Sequence, residues 1–580
     1  MKELLSGNEA IARGAVEAGV RFAAAYPGTP STEILETLAA CDGIDAQWSP
    51  NEKTALEAGI GASLAGARVL VAMKHVGLNV ASDPLMTLSY IGVKGGLVIV
   101  SADDPGMHSS QNEQDNRHYA RFAKVPMLEP SDSQEAKDFV VEALKISERF
   151  DTPVLVRTTT RVSHGKSLVK LGKPVTLNRT LGFERNARKY VMIPAYARVR
   201  HAFVEQRLEK LRRYSERTRL NRVEPGSKAL GIVASSIAYE HAKEVAPDAS
   251  FLKLGMSYPL PVEKVRAFAR TVRKLVVVEE LDPFTEEQLR AAGIKVVGKA
   301  PEYMLDELTP DRVAEIISGR KKVRARSAGV PPPRPPVMCP SCPHRAVFHV
   351  IRKLKLIATG DIGCYTLGTL PPLNALDTCV CMGASIGAAF GMTKVLDEKA
   401  RRKVVGVIGD STFVHSGITG LIDMVYNRGI TTVLILDNRT TAMTGRQDHP
   451  ATGRTLKGEP THRLDLAGLC RAVGAGDVRA VQPFNLKALE EAVRSAVAFD
   501  GVSVLIVEQP CVLITKERST EVMHVELELC RKCGACLKLG CPAISELEDG
   551  AVAIDPVLCN LCGLCAQVCP FDAIHSTPRC

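Results

Sequence analysis

Residues 403–411 read KVVGVIGDS and residues 431–438 read TTVLILDN. Each is a continuous apolar run closed by acidic, amide or hydroxyl side chains, as expected of a strand buried on both faces of a parallel sheet. The 25 residues between Ser411 and Asp437 accommodate a helix and one crossover, which sets the two strand ends side by side. Ligands of such sheets gather at the carboxyl ends of the strands, which makes Gly409, Asp410, Ser411 and Asn438 candidates for a binding edge. Asp410 and Asn438 offer oxygens of the kind Mg²⁺ takes together with phosphate oxygens, so a diphosphate is the natural partner. The plainer reading is an acidic strand end of a kind common in α/β folds.

The same alternation runs outward. Toward the N-terminus, VRFAAAYPGTPST (20–32), RVLVAMK (68–74) and GGLVIVSADDPG (95–106) read as strands, with GNEAIARGAVEAG (7–19) and EKTALEAGIGASLAGA (52–67) as helices between them. A further unit holds ALGIVASS (229–236), FLKLGMS (251–257) and KLVVVEE (274–280) as strands. The fold class is therefore α/β, multidomain, with doubly wound parallel sheets. Boundaries are expected at 1–165 for the first α/β domain, 166–227 for a basic, partly helical connector and 228–325 for the extra α/β domain. A Pro-rich linker follows at 326–337, a second large α/β domain at 338–516 and a Cys-rich tail at 521–580.

At 580 residues and 45% hydrophobic the chain can bury several ordinary cores, which excludes disordered and fibrous classes. No apolar run reaches the ~18 residues of a membrane span, and MKELLSGNEAIARG lacks the apolar centre of a secretory signal, so a cytoplasmic protein without membrane contact is expected. There 17 Cys point to metal or redox chemistry rather than disulfides. The net charge of +10 is local: residues 161–228 carry 18 Lys and Arg against 5 Glu, so the rest of the chain is near −3. That stretch, partly helical around AFVEQRLEKLRRYSERTRL (202–220), reads as a solvated linker helix first and an anion-binding surface second. Without aromatic interleaving or a known motif, no nucleic acid is expected as a partner.

Nine Cys fall in the last 51 residues. Two runs stand out, Cys530-x2-Cys533-x2-Cys536-x4-Cys541-Pro542 and Cys559-x2-Cys562-x2-Cys565-x3-Cys569-Pro570. The second has the spacing by which bacterial ferredoxins hold [4Fe-4S] clusters, three close thiolates on one cluster and the fourth crossing to the other. By that rule Cys530, Cys533, Cys536 and Cys569 hold one cluster, and Cys541, Cys559, Cys562 and Cys565 the second. The first run has one extra residue before its last Cys. Zinc is the alternative for C-x2-C pairs. The tail is thus a small ferredoxin-like α+β domain, with Cys580 a free thiol at a frayed end.

Asp410 and Asn438 sit in a pattern that resembles the thiamine-diphosphate motif, G-D-G and then N-N, written here GDS and DN. Taken with the tail, the chain resembles the 2-oxoacid:ferredoxin oxidoreductases, and among them the large subunits of the indolepyruvate type. The likeness is carried by YPGTPST (26–32), Asn51-Glu52 through GASLAGA (61–67), RTTTRVSH (157–164), CPSCPHR (339–345), DIGC (361–364) and DNRTTAMTG (437–445).

The resemblance implies a pyrimidine-binding domain at 1–165, a transketolase-C-terminal-like domain at 228–325 and a diphosphate domain at 338–516. Asp410, Asn438 and the carbonyl of Thr440 would hold Mg²⁺. Glu52, nine residues before Gly61, would hydrogen-bond the aminopyrimidine, with Glu57 as competitor. As a plain structural feature Glu52 is a carboxylate at a helix N-terminus. Thr29 would meet the oxoacid, or serve only in the turn, where Ser31 or Thr32 can cap the helix. The pyruvate enzymes' Arg for the substrate carboxylate is replaced by Ser101-Ala102-Asp103-Asp104, in keeping with bulkier arylpyruvates. His75 and His108 lie in candidate loops. Cys339, Cys342, Cys364 and Cys511 would hold a third [4Fe-4S] cluster, or be small thiols in a core. Cys379, Cys381 and Cys470 read as core. The implied reaction is oxidative decarboxylation of arylpyruvates, indolepyruvate first, to the aryl-acetyl-CoA and CO₂ with reduction of ferredoxin. A smaller beta subunit in an α₂β₂ assembly and coenzyme A are implied partners. The alternatives are an electron-transfer subunit without its own thiamine chemistry and another 2-oxoacid specificity.

Overall fold

The computed structural model describes residues 1–176, 180–321, 334–515 and 519–578. Residues 326–333 of the expected linker, and Cys580, lie outside the described residues. The chain divides into two compact units, Met1–Gly329 and Val330–Cys580.

The first unit is built on a seven-stranded sheet ordered Met256–Tyr258, Met127–Leu128, Val154–Thr159, Leu97–Asp103, Val69–Lys74, Phe22–Ala25 and Asp45–Trp48. All neighbours are parallel except Met256–Tyr258, which runs antiparallel to Met127–Leu128. The central strands begin with buried apolar runs, VLVAM, LVIV and VLV, because helices cover both faces, and end in polar or charged residues. Lys2–Ser6 pairs antiparallel with Lys166–Lys170 and leads into helix Gly7–Glu17 through a capping box of Ser6 and Glu9.

A four-stranded sheet follows, ordered Lys274–Val278, Ser227–Ala234, Ala249–Leu254 and Asn221–Glu224. FLKLGMS, read above as one strand, is two. Ala249–Leu254 belongs to this sheet, whereas Met256–Tyr258 crosses to the edge of the seven-stranded one. Gly255 makes the break: its N–H donates to Leu220 O at 3.0 Å, and a Cβ there would meet that oxygen at 2.6 Å.

The basic stretch differs from a merely solvated linker. Its helix Pro194–Arg217 buries Val204, Arg207, Leu208, Leu211 and Ser215, a stripe at helical spacing. Arg207 donates to Asp151 O at 2.8 Å and Ser89 O at 2.7 Å, and Arg200 reaches Tyr90 O at 2.6 Å and Asp151 Oδ2 at 3.1 Å. These two cations are therefore held by the first domain itself.

The second unit has an all-parallel six-stranded sheet ordered Thr378–Cys379, Ile357–Gly360, Val404–Gly409, Thr432–Asp437, Ser503–Glu508 and Asp477–Val481. The tail adds two antiparallel pairs, Glu521–Val525 with Ile574–Pro578 and Ile544–Glu546 with Val552–Ile554. One apolar core runs from Val405, Leu434 and Leu505 of the parallel sheet to Leu539, Cys565 and Ile574 of the tail. Cys470 is buried as expected, but Cys379 and Cys381 are exposed. The strand that carries Cys379 is a two-residue edge strand, too short to be covered on both faces. Among the described residues no helix is long and apolar enough to cross a membrane.

Candidate active site

In the second unit, strands Val404–Gly409 and Thr432–Asp437 are neighbours, with Gly409 opposite Leu436. Their carboxyl ends bring Asp410, Ser411, Asn438 and Thr440 to one edge, all four nearly buried. Asp410 accepts from Ser411 N at 2.8 Å and Arg439 N at 2.9 Å, and His449 Nε2 lies 3.2 Å from its Oδ2. Asn438 Oδ1 accepts from Thr440 N at 3.1 Å, and Thr441 Oγ1 donates to Ser411 Oγ at 3.0 Å. Gly409 is needed for space, since a Cβ there would stand 2.7 Å from the Tyr365 ring.

Burial and the adjacent Asp410 push Asp437 up to about 7. Burial also acts on Asp410, but His449, Asp437 and the Ser411 N–H outweigh it and hold its carboxyl low. Two carboxyls close enough to share a proton, with an amide oxygen beside them, form a hard-oxygen set that suits a divalent cation. His344 lies 3.4 Å from Asn438 Nδ2, and its burial lowers it to about 4 against the pull of Asp410. It is a neutral imidazole against the same edge. Sequence reasoning missed His344, His449 and Asp437 as members of this site. Two of them carried a signal, Asp437 as the acidic close of its apolar strand and His344 by its place two residues after the C-x2-C of CPSCPHR.

Cys511 N donates to Asn438 O at 3.0 Å, which ties the thiol set to that edge. Cys342 is buried and Cys339, Cys364 and Cys511 are half-buried. Burial, with neighbouring thiols adding to it, lifts Cys342 to about 12 and Cys364 to about 11: Cys364 and Cys339 act on Cys342, Cys511 and Cys339 on Cys364. The four thiols thus lie within electrostatic reach of one another.

The tail thiols separate into two cavities. One is lined by Cys530, Cys533, Cys536 and Cys569, the other by Cys541, Cys559, Cys562 and Cys565 together with Ser341 and Arg345. Arg345 also bridges the two regions, donating to Leu539 O at 2.6 Å and to Met338 O at 3.0 Å.

In the first unit, Glu52 opens helix Glu52–Leu64 behind the Asn51 cap, whose side chain accepts from Thr54 N at 2.8 Å. Glu52 is buried, and its carboxyl lies over Gly77, where a Cβ would be 2.6 Å from Oε1. Glu57 is instead exposed and paired with Lys53 at 2.6 Å. Thr29 is half-buried in the turn after Phe22–Ala25. Ser31 and Thr32 hold that turn, Ser31 Oγ donating to Gly28 O at 2.9 Å and Thr32 Oγ1 accepting from Gly28 N at 3.0 Å.

Asp103 and Asp104 organise the edge rather than open it. Asp103 takes Arg157 at 2.6 Å, and Asp104 accepts from Ser109 N, Ser110 Oγ and Thr160 Oγ1 at 2.9, 2.6 and 2.6 Å. His75 is fully buried, with Nε2 3.1 Å from Asn112 Oδ1, while His108 is partly exposed beside Glu307 at 3.4 Å.

Comparison with known proteins supplies the family context for these sites. Residues 13–218 match the model of the pyruvate flavodoxin/ferredoxin oxidoreductase thiamine-diphosphate-binding domain, and residues 361–507 that of the C-terminal TPP-binding domain of thiamine pyrophosphate enzymes. Residues 552–575 match a 4Fe-4S binding domain. Indolepyruvate oxidoreductase subunit IorA of Archaeoglobus fulgidus is 41% identical over 99% of this chain and 97% of its own length. The IorA subunit of Pyrococcus horikoshii is 41% identical with the same coverage, and that of Methanothermobacter marburgensis is 42% identical over 98% of this chain and 96% of its own.

Proposed function

Because the chain belongs to the IorA family of indolepyruvate oxidoreductase subunits, we propose that it oxidises arylpyruvates, indolepyruvate first among them. The balanced reaction takes one arylpyruvate, one coenzyme A and two oxidised ferredoxins to one aryl-acetyl-CoA, one CO₂, two reduced ferredoxins and one proton. One observation supports this reading above the others: the Cys511 N–H donates to Asn438 O, next to Asp410, so the four thiols adjoin the acidic edge as an electron acceptor beside the cofactor would have to.

Thiamine diphosphate, when bound, supplies the nucleophilic carbon and the electron sink that decarboxylation needs. The chain's own residues do the rest. Asp410, Asn438 and the Thr440 carbonyl would hold Mg²⁺ and through it the diphosphate. Glu52, buried at a helix start, would hold a proton against the aminopyrimidine nitrogen. Thr29 would offer its hydroxyl to the oxoacid. Cys530, Cys533, Cys536 and Cys569 would bind one [4Fe-4S] cluster, Cys541, Cys559, Cys562 and Cys565 a second, and Cys339, Cys342, Cys364 and Cys511 a third. A smaller beta subunit, in an α₂β₂ assembly, completes the enzyme.

The test is an anaerobic assay of the two co-expressed subunits with arylpyruvates, coenzyme A and a viologen dye. CoA-dependent dye reduction is expected with at least one arylpyruvate, and none with any of them overturns the reading. Glu52→Gln should lower turnover by about 10²- to 10⁴-fold while iron and thiamine content stay as in wild type. A silent Glu52→Gln would favour an electron-transfer subunit instead.

A further inference from the structure

At the carboxyl edge of the seven-stranded sheet nearly every cation already has a carboxylate. Arg157 is buried against Asp103 and Glu129 at 2.6 and 2.5 Å. Arg117 is buried against Asp115 and Glu279, both at 2.5 Å. Arg161 is paired with Glu307 at 2.5 Å. Lys74, the last residue of strand Val69–Lys74, is the exception. Its ammonium donates to a backbone carbonyl, Ser109 O, at 2.5 Å, and no carboxylate lies within 4.0 Å of it among the described residues. An ammonium has three N–H donors, so two remain for a ligand.

Its position is shared with the residues assigned above to the reaction. Lys74 Cβ would be 3.2 Å from a Cβ on Gly28, so its stem packs against the turn that carries Thr29. It directly precedes helix His75–Val80, whose Gly77 accommodates the Glu52 carboxyl. Asp104, the nearest competitor for the ammonium, is already committed to Ser109, Ser110 and Thr160. The lysine's stem therefore lies against the turn that carries Thr29, its backbone leads into the helix beside Glu52, and its ammonium, held among the described residues only by Ser109 O, has capacity for one anion.

We propose that Lys74 is the cation that binds the carboxylate of the 2-oxoacid substrate, a role that rests on the arylpyruvate reading. A carboxylate leaving water for such an edge requires a charged hydrogen-bond partner. Desolvation brings Lys74 down to about 8, opposed by Asp104 and Glu52, so the lysine gains by acquiring an anion. The substrate's charge disappears as CO₂ forms, so this contact belongs to the ground state more than to the transition state. Its removal weakens binding without slowing the chemical step.

The experiment uses the co-expressed holoenzyme with Lys74→Met and Lys74→Arg. Lys74→Met is expected to raise KM for indolepyruvate about 10- to 100-fold, the range of a charged hydrogen bond, with kcat unchanged or higher, and Lys74→Arg to recover most of the KM. Inhibition by the non-ionic amide of indolepyruvic acid gives a second readout. Wild type should bind the acid at least tenfold more tightly than the amide, and Lys74→Met should bind the two alike. If Lys74→Met keeps the acid preference, or weakens acid and amide equally, the proposal is overturned while the arylpyruvate reading stands. If wild-type enzyme turns over no arylpyruvate, that reading fails first and takes this proposal with it.

Discussion

Glu280 is a buried carboxyl with one oxygen accepting from Leu308 N at 3.1 Å and the other without a hydrogen bond among the described residues. Burial raises it from 4.5 to about 7, only partly offset by the Leu308 N–H, Arg157 and Lys299. The folded protein therefore keeps this proton up to about pH 7, whereas the unfolded chain releases it above about 4.5. Stability from this group is complete below pH 4.5 and is lost as pH rises to about 7, by about 3 kcal/mol in all. Glu280→Gln removes that slope. Its Tm relative to wild type should therefore rise by several degrees between pH 4.5 and pH 8, read by anaerobic calorimetry at both values. A difference independent of pH would show that Glu280 does not titrate in this window. The same scale shows where sequence reading ends. The helix start at Glu52 was legible from its small-residue pattern, though the proton role proposed for it comes from the family resemblance alone, and Asp410 was legible as the residue that closes an apolar strand. Lys74, His449 and Glu280 were not, since each acquires its role from residues distant in the chain: Ser109, Asp410 and Leu308.

At the scale of elements, strands were legible wherever both faces are covered, since an unbroken run of Val, Ile and Leu has few other uses. The reading failed where a strand is short or half-covered. Gly255 splits one run between two sheets, and Cys379 sits on a two-residue edge strand that leaves it exposed. Charge counting likewise hid the apolar stripe of helix Pro194–Arg217, because its buried positions recur every three to four residues among arginines. That stripe carries a prediction. Leu211 is fully buried, so Leu211→Ala should cost about 2–4 kcal/mol of local stability and speed amide hydrogen exchange across residues 204–215. Val199, 71% exposed on the same helix, is the control: Val199→Ala should leave exchange there unchanged. Equal exchange in both variants would mean that the helix is held by Arg200 and Arg207 alone.

For the molecule as a whole, the tail and the second parallel sheet share one core, so the thiol sets are fixed relative to one another by packing rather than by a tether. Ser341, between Cys339 and Cys342, lines the cavity of Cys541, Cys559, Cys562 and Cys565. This orders the three sets: the one beside Asn438, then the Cys541 set, then the Cys530 set. Iron content and spectra test that order. Wild type should hold about twelve Fe per chain, and Cys511→Ser about eight, with the two tail signals intact in electron paramagnetic resonance of the reduced protein. Cys541→Ser should also lose about four Fe, but from the cluster of Cys559, Cys562 and Cys565, although Cys541 lies next to Cys536 in sequence. Because that cluster stands in the middle of the order, its loss should stop reduction of ferredoxin while single-turnover CO₂ release continues. If Cys541→Ser instead abolishes the signal that Cys530→Ser abolishes, the fourth thiolate does not cross between the runs, and the cavity lining does not report the ligand sets.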